Sequence, residues 1–267
     1  MDLLKSVRST ILYSNYFNFP LFPEEVHHWL VGSRLVSLEA VTPFVPKMSK
    51  ANILLRKKLE KYSKQKVFRA KKLVKILSFV PGIRMVALTG SVAAGNSKKG
   101  DDIDLLFVTS PHTLWLIRPL VIAIISLFFR RRHPQEDHAH APNVFCPNLW
   151  LDMHSLAIEK NKHSLYTAHE VLQVLPLLNK GEAYERFLEA NSWTKKYLAN
   201  AYNHLAPQKT QLLDTQSLSI VLAPLNYFAY LIQLIYMLPK KTTETVTLHT
   251  AFLHTVDYSA KLRHIIT

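Results

Sequence analysis

Three of the eight aspartates of this 267-residue chain (Asp101, Asp102 and Asp104) fall within four positions, and four of its six glycines (Gly82, Gly90, Gly95, Gly100) crowd the 19 residues directly before them. A chain so poor in glycine does not concentrate it without a backbone reason. An apolar β-rich run over 83–90 ends at Gly90-Ser91, where small residues let backbone amides approach a phosphate closely. Val92-Ala93-Ala94 then opens a short helix whose amino end favours an anion, and Ser91 adds a hydroxyl donor. A second apolar run over 103–109 follows, and Asp102 and Asp104 lie at i and i+2 at its start. Such residues project from one face of a strand, so both carboxylates aim at one spot. Converging carboxylates call for a cation, and Mg2+ prefers hard oxygen ligands together with substrate phosphates. The chemistry this spells is metal-dependent phosphoryl or nucleotidyl transfer.

These residues need a sheet to hold them. Besides 83–90 and 103–109, residues 144–158 carry strand signals, enough for one or two strands. Residues 1–15 read as a helix broken by Asn15-Tyr-Phe-Asn-Phe-Pro20. Pro23-Glu24-Glu25 then opens a second helix, with proline and acids suited to its first turn. Residues 113–129 read as an apolar helix, and from about Tyr166 the pattern is helical. The expected fold is α+β: a small mixed sheet, a helical amino-terminal extension and a mostly helical carboxyl-terminal half. The expected units are 1–80, 81–165 and 166–267.

The formal net charge is +14, and it is local. Between Lys47 and Lys75 twelve basic residues face a single acid, Glu60, and Arg130-Arg131-Arg132 supply three more. The rest of the chain is close to neutral. Apolar residues recur through the basic stretch at helical spacing, which predicts one or two amphipathic helices with a lysine-rich outer face. Such a face attracts polyanions, RNA among them. The single cysteine, Cys146, excludes a disulfide framework and suits a reducing compartment. It reads as inert core. The amino terminus lacks a secretory apolar region, so a cytoplasmic location is expected, with peripheral membrane contact as the variant. Residues 218–238 run without a formal charge, but Asn226, Gln233 and several tyrosines make them a buried or surface helix rather than a bilayer span. His133, His138 and His140 read as a polar connection, not a metal site.

Gly90-Ser91, about ten residues, then Asp102-x-Asp104 between apolar strands resembles the signature of the DNA polymerase beta-like nucleotidyltransferase superfamily. Asp101 stands where the usual form has serine, and Asn96-Ser97-Lys98-Lys99-Gly100 makes a slightly longer loop. The resemblance extends towards bacterial nucleotidyltransferase-domain proteins. Residues 16–25 look like their amino-terminal helix-turn-helix segment, and 145–151, 165–170 and 191–193 are similar to elements of their carboxyl-terminal half. The chain is short over 35–55, where a wing would stand.

The resemblance implies Mg2+-dependent transfer of an NMP group from an NTP, ATP first among them, to a hydroxyl on RNA, a protein or a small molecule. It implies Asp102 and Asp104 as catalytic metal ligands, with Gly90 and Ser91 at the phosphates and Lys98 and Lys99 near the leaving group. It also implies a third carboxylate on a later strand. Asp152 is the candidate, since alternation in Asn148–His154 puts Trp150, Asp152 and His154 on one face, and Glu170 is the reserve. The alternatives are a non-catalytic nucleic-acid-binding or regulatory protein on the same fold and a membrane-surface protein.

Overall fold

A computed structural model describes residues 2–132, 142–206, 221–240, 244–253, 258 and 261–262. His133, His138 and His140 lie outside the described residues. The fold is built on a six-stranded mixed sheet. In chain order the strands are β1 (Ile83–Leu88), β2 (Ile103–Thr109), β3 (Phe145–Asp152), β4 (Leu175–Asn179), β5 (Thr245–Val246) and β6 (Thr250–Phe252). Their spatial order is β4-β1-β2-β3-β6-β5, and among these described strands β2 and β3 pair in parallel and the other neighbours antiparallel. The parallel pair needs a crossover, which α6 (Leu114–Phe128) supplies. The α+β architecture is the one expected from the sequence.

Three strands come from the segment read as mostly helical. Leu175-Pro-Leu-Leu-Asn179 is an edge strand, the place where a proline costs no ladder hydrogen bond. Strands β5 and β6 hold two and three residues, too few to show alternation. Only one strand forms within 144–158.

The amino-terminal helices follow the sequence reading closely: α1 is Leu3–Tyr16 and α2 is Pro23–His28. Glu25 closes the start of α2 by accepting from the Phe22 N–H at 2.8 Å. A one-turn helix α3 (Leu38–Val41) and a 3-10 turn (Thr42–Phe44) occupy the stretch where a wing would stand. The basic segment is one 28-residue helix, α4 (Lys50–Leu77), capped by Ser49. Its buried stripe, Leu59, Ser63, Lys66, Ala70, Leu73 and Leu77, repeats at three and four residues and meets the sheet core with Val86, Leu105, Phe107 and Trp150. The other sheet face packs Met85, Leu106, Val108 and Leu151 against α7 (Leu165–Leu172) and α8 (Ala183–Ala190). Helix α9 (Ala199–Leu205) ties the carboxyl-terminal region to the amino-terminal helices: Asn200 Nδ2 donates to the His27 carbonyl at 2.8 Å.

Helix α10 (Ala223–Met237) lies against α6, and its polar residues have a structural task. Pro119 cannot donate to the carbonyl of Trp115 four residues earlier, and Gln233 Nε2 donates to that oxygen instead, at 2.7 Å. The Trp115 N–H, in the open first turn of α6, donates to Asn226 Oδ1 at 2.8 Å. Gln233 Oε1 also accepts from Arg118 at 2.8 Å. Among the described residues no helix is long and apolar enough to cross a membrane.

Candidate functional site

Strand β1 ends at Leu88, and the chain turns through Thr89 into a one-turn helix, α5 (Gly90–Ala93). Gly90 has φ +59°, and a Cβ there would lie 2.9 Å from Asp104 Oδ2. Glycine is thus required twice, by conformation and by contact. The strand face of Asp104 continues with Leu106 and Val108, and the carboxylate stands where that face runs out to the cavity. Asp102 sits beside it, almost fully buried, with Arg132 Nη1 2.9 Å from its Oδ2. Asn148 Nδ2 donates to Asp104 Oδ1 at 2.7 Å. Asp104 has a pKa raised to about 8 by burial first, then by the charges of Asp102 and Glu170, with Asn148 and Arg132 pulling the other way. This is a carboxylate short of positive charge, the condition a divalent cation relieves.

The donor set fits such a cation. Asp102, Asp104 and Cys146 each offer a ligand atom, all within 4.8 Å of one another. Two carboxylates suit Mg2+. The Cys146 thiol does not, and burial pushes its pKa up so that it stays protonated.

The carboxylates open into a cavity of about 810 Å3 between the sheet end, α1, α2 and α7. That volume lies in the range of small-molecule sites. Tyr13, Phe17, Trp29 and Tyr166 give it an aromatic wall, and Glu170 lines it from α7. Burial pushes Glu170 up to about 7. His169, next to it, is buried and stacked on Tyr13 with centroids 4.0 Å apart, and neither ring nitrogen has a hydrogen-bond partner among the described residues.

The loop before β2 is held from beneath. Asp101 Oδ2 accepts from the Lys98 N–H at 2.8 Å and from the Ser91 hydroxyl at 3.1 Å. The aspartate that replaces the usual serine therefore fixes the loop and engages the Ser91 side chain. Lys66, counted in sequence with the outer face of the basic helix, is buried and points inward. Its Nζ donates to Ser97 Oγ at 2.7 Å, to the Asp101 carbonyl at 2.8 Å and to the Lys98 carbonyl.

Not every expected residue arrives here. Lys98 and Lys99 are exposed, and neither lines the cavity. Asp152 is elsewhere, for two reasons. It pairs with Thr109, five residues along β2 from Asp104, about 16 Å at strand spacing. It also lies on the opposite sheet face. Asp104 pairs with Cys146 but Leu106 pairs with Leu149, so β3 holds one extra residue at Pro147–Asn148. That bulge reverses the alternation and places Asp152 on the side of Trp150 and Phe107. Asp152 is brought together instead with His112 and His249. The β3 positions beside Asp104 are Cys146 and Asn148, and Glu170 is a further carboxylate lining the cavity, with Glu25 and Asp101.

Two contributors were not visible in sequence. Arg132 belongs to a triplet that looked like a charged patch, yet its backbone N–H donates to the Phe145 carbonyl and its side chain reaches Asp102. Asn148 gave no signal, because only the bulge turns it towards Asp104.

Residues 70–138 match the family model described as a nucleotidyltransferase domain. The matched stretch contains Gly90, Ser91, Asp102 and Asp104 and stops before Asn148 and Glu170. This match is consistent with the polymerase beta-like nucleotidyltransferase family and supports a transferase with a general nucleotidyl-transfer function. Neither the curated proteins nor the solved structures gave a match.

Proposed function

We propose that the chain transfers a nucleoside monophosphate from an NTP, ATP first among them, to a hydroxyl acceptor, with Mg2+ held by Asp102 and Asp104. One observation carries this reading: the carboxylates of Asp102, just before β2, and Asp104, within it, open into the aromatic-walled cavity, with Asp104 against the side-chain-free Gly90. Mg2+ bound there supplies Lewis-acid polarisation of phosphate oxygens and lowers the cost of the developing charge. Gly90 and the Ser91 amide form the close backbone approach to the triphosphate. Arg132 orients Asp102, and Asn148 orients Asp104.

In the reaction the acceptor oxygen bonds to the α-phosphorus, and the bond from that phosphorus to the bridging oxygen breaks. Pyrophosphate leaves with the electron pair. Glu170 takes the acceptor proton, a role suited by its place on the cavity wall and a pKa near neutrality. The aromatic wall takes a planar ring by stacking. The exposed lysines of α4 serve as a docking face for a polyanionic acceptor, RNA in first place.

The test is pyrophosphate release and label transfer from each of the four NTPs with Mg2+, using RNA, protein and the chain itself as acceptors. Turnover is expected in wild type and absent in Asp104→Ala and Glu170→Gln. Turnover that survives Asp104→Ala overturns the reading. No turnover with RNA bound equally by wild type and Asp104→Ala favours the non-catalytic binding protein.

A second reading, association with a membrane surface, rests on α10. Leu225, Phe228, Ile232 and Ile235 form an exposed stripe at helical spacing, and Leu127 and Phe128 at the end of α6 are exposed as well. Flotation with anionic vesicles, compared with an Ile232→Ser, Ile235→Ser variant, tests it; equal flotation of the two removes it.

A further inference from the structure

At the end of the sheet away from the carboxylate pair, three elements converge on Asp152. This residue is fully buried. Its Oδ1 accepts from the His154 N–H at 2.9 Å, and its Oδ2 accepts from the His112 N–H at 3.3 Å and meets His249 Nδ1 at 2.7 Å. The His112 and His154 rings approach with Nε2 atoms 2.8 Å apart, and the His112 and His249 centroids are 5.5 Å apart. His112 comes from the turn after β2, His154 from the end of β3 and His249 from the turn between β5 and β6.

His112 also holds φ +54°. A left-handed conformation costs a non-glycine residue energy and is tolerated where a side chain is wanted at that position. Here the turn presents an imidazole to the cluster, where asparagine or glycine would satisfy the backbone with less strain.

We propose that His112, Asp152 and His249, with His154 beside them, form a second metal site that takes a divalent ion of the zinc class. One ligand atom from each of His112, Asp152 and His249 lies within 4.8 Å of the others. Tetrahedral zinc with bonds of about 2.0–2.1 Å separates its ligands by roughly 3.4 Å, so modest side-chain adjustment closes the shell. Imidazole nitrogens with one carboxylate select zinc-like ions over Mg2+, which separates this site chemically from Asp102 and Asp104. His249 side-chain exposure of 32% leaves the ion a path from solvent, while Asp152 is sealed beneath. The ion clamps the two-residue β5 and three-residue β6, which have little ladder of their own, onto the central strands.

The site stands apart from the proposed reaction, so the test uses the full chain carrying Asp104→Asn, with excess Mg2+ present. Co2+ is the spectroscopic probe and Zn2+ the competitor. One Co2+ per chain is expected, with the visible spectrum of a nitrogen- and oxygen-bound ion, displaced by stoichiometric Zn2+. His112→Asn, which suits the left-handed turn, and His249→Ala should each weaken binding at least about tenfold. Cys146→Ser should leave it unchanged. Zn2+ should also raise the Tm of the wild-type chain and not that of His249→Ala. No saturable Co2+ binding at micromolar concentration, or binding in both histidine variants as tight as in the parent chain, overturns the proposal. Loss of transfer in Asp104→Asn with Co2+ binding intact leaves it standing whatever the outcome for the reaction.

Discussion

Gly90 and Asp104 meet so closely that residue 90 has no room for a side chain: a Cβ would lie 2.9 Å from Asp104 Oδ2 and 3.6 Å from its Cγ. Asn148 holds the other carboxylate oxygen, so Asp104 has little freedom to retreat. Gly90→Ala adds a left-handed penalty of roughly 1–2 kcal/mol and displaces the carboxylate. The expected outcome is a folded protein whose transfer rate falls roughly a hundredfold, the scale of an ångström-sized displacement at a reacting centre. Circular dichroism beside the pyrophosphate assay checks it, and wild-type turnover in the variant refutes the geometry.

Lys66 illustrates how one charge on a basic helix differs from its neighbours. Its ammonium has three acceptors in the loop before β2, while Lys64, two residues away, is 75% exposed and paired with Glu60. Lys66→Met removes the charged donor shared by Ser97 Oγ and the Lys98 and Asp101 carbonyls, leaving those carbonyls only the longer bonds from the Asp101 and Asn143 N–H groups and the Ser97 hydroxyl, and should cost roughly 1–3 kcal/mol. It also frees the segment that carries Asp101 and Asp102, so transfer should fall with stability. Lys64→Met should shift stability by less than about 0.5 kcal/mol. Denaturant midpoints of the two variants make the comparison.

The features legible in sequence are those set by local backbone rules. Gly90-Ser91 at a strand end and Asp102-x-Asp104 on one strand face depend on a few adjacent residues, and they come together in the fold. The α1 and α2 boundaries followed from Pro20, Pro23 and the acids after it. What failed depended on register or on distant partners. Alternation after Asn148 holds, with Trp150 and Asp152 on one face and Leu149 and Leu151 on the other, but the bulge at Pro147–Asn148 sets that segment on the opposite face relative to Asp104, so Asp152 meets the histidines and Asn148 meets Asp104. Lys98 and Lys99 adjoin the site in sequence, but Lys98 contributes its backbone N–H and carbonyl to the loop while its side chain is exposed. The polar load of α10 looked like a reason against a membrane span. Its physical cause is the pair of Trp115 backbone groups left open by Pro119 and by the first turn of α6.

His169 should make the fold acid-sensitive. Burial, and next the charge of His28, lower its pKa to about 3. The folded state therefore keeps the ring neutral while the unfolded chain takes up a proton near pH 6.5. Between those values the unfolded state binds the extra proton, so stability falls as pH falls, by roughly 1.4 kcal/mol per pH unit. Asp104 and Glu170, with raised pKa values, act in the opposite sense and stabilise on acidification. The quantity to read is thus the difference from His169→Phe, which keeps the stacking on Tyr13 and cannot titrate. Denaturation from pH 7.5 down to 4.5 should show the wild type losing ground to the variant. Parallel curves would mean that His169 does not stay neutral in the fold.

The outer face of α4 makes a prediction about the acceptor. Lys57, Lys58, Lys61 and Lys64 are exposed, and Arg56, directly before them, is tied to Glu25, a residue of the cavity wall. The helix therefore passes beside the cavity, meeting its wall through Arg56 and the loop before β2 through Lys66. A polyanion bound to its exposed face would lie alongside the site. Each lysine that neutralises a phosphate adds about 0.7 to the salt slope for a single strand, so replacing all four by glutamine should lower the slope by roughly 3. Single-stranded RNA binding followed from low to moderate salt measures this, with NTP affinity as the internal control. A reduced slope with unchanged NTP affinity places the acceptor on α4. An unchanged slope assigns these lysines to solvation alone, and the acceptor must then enter over the aromatic wall formed by α1 and α7.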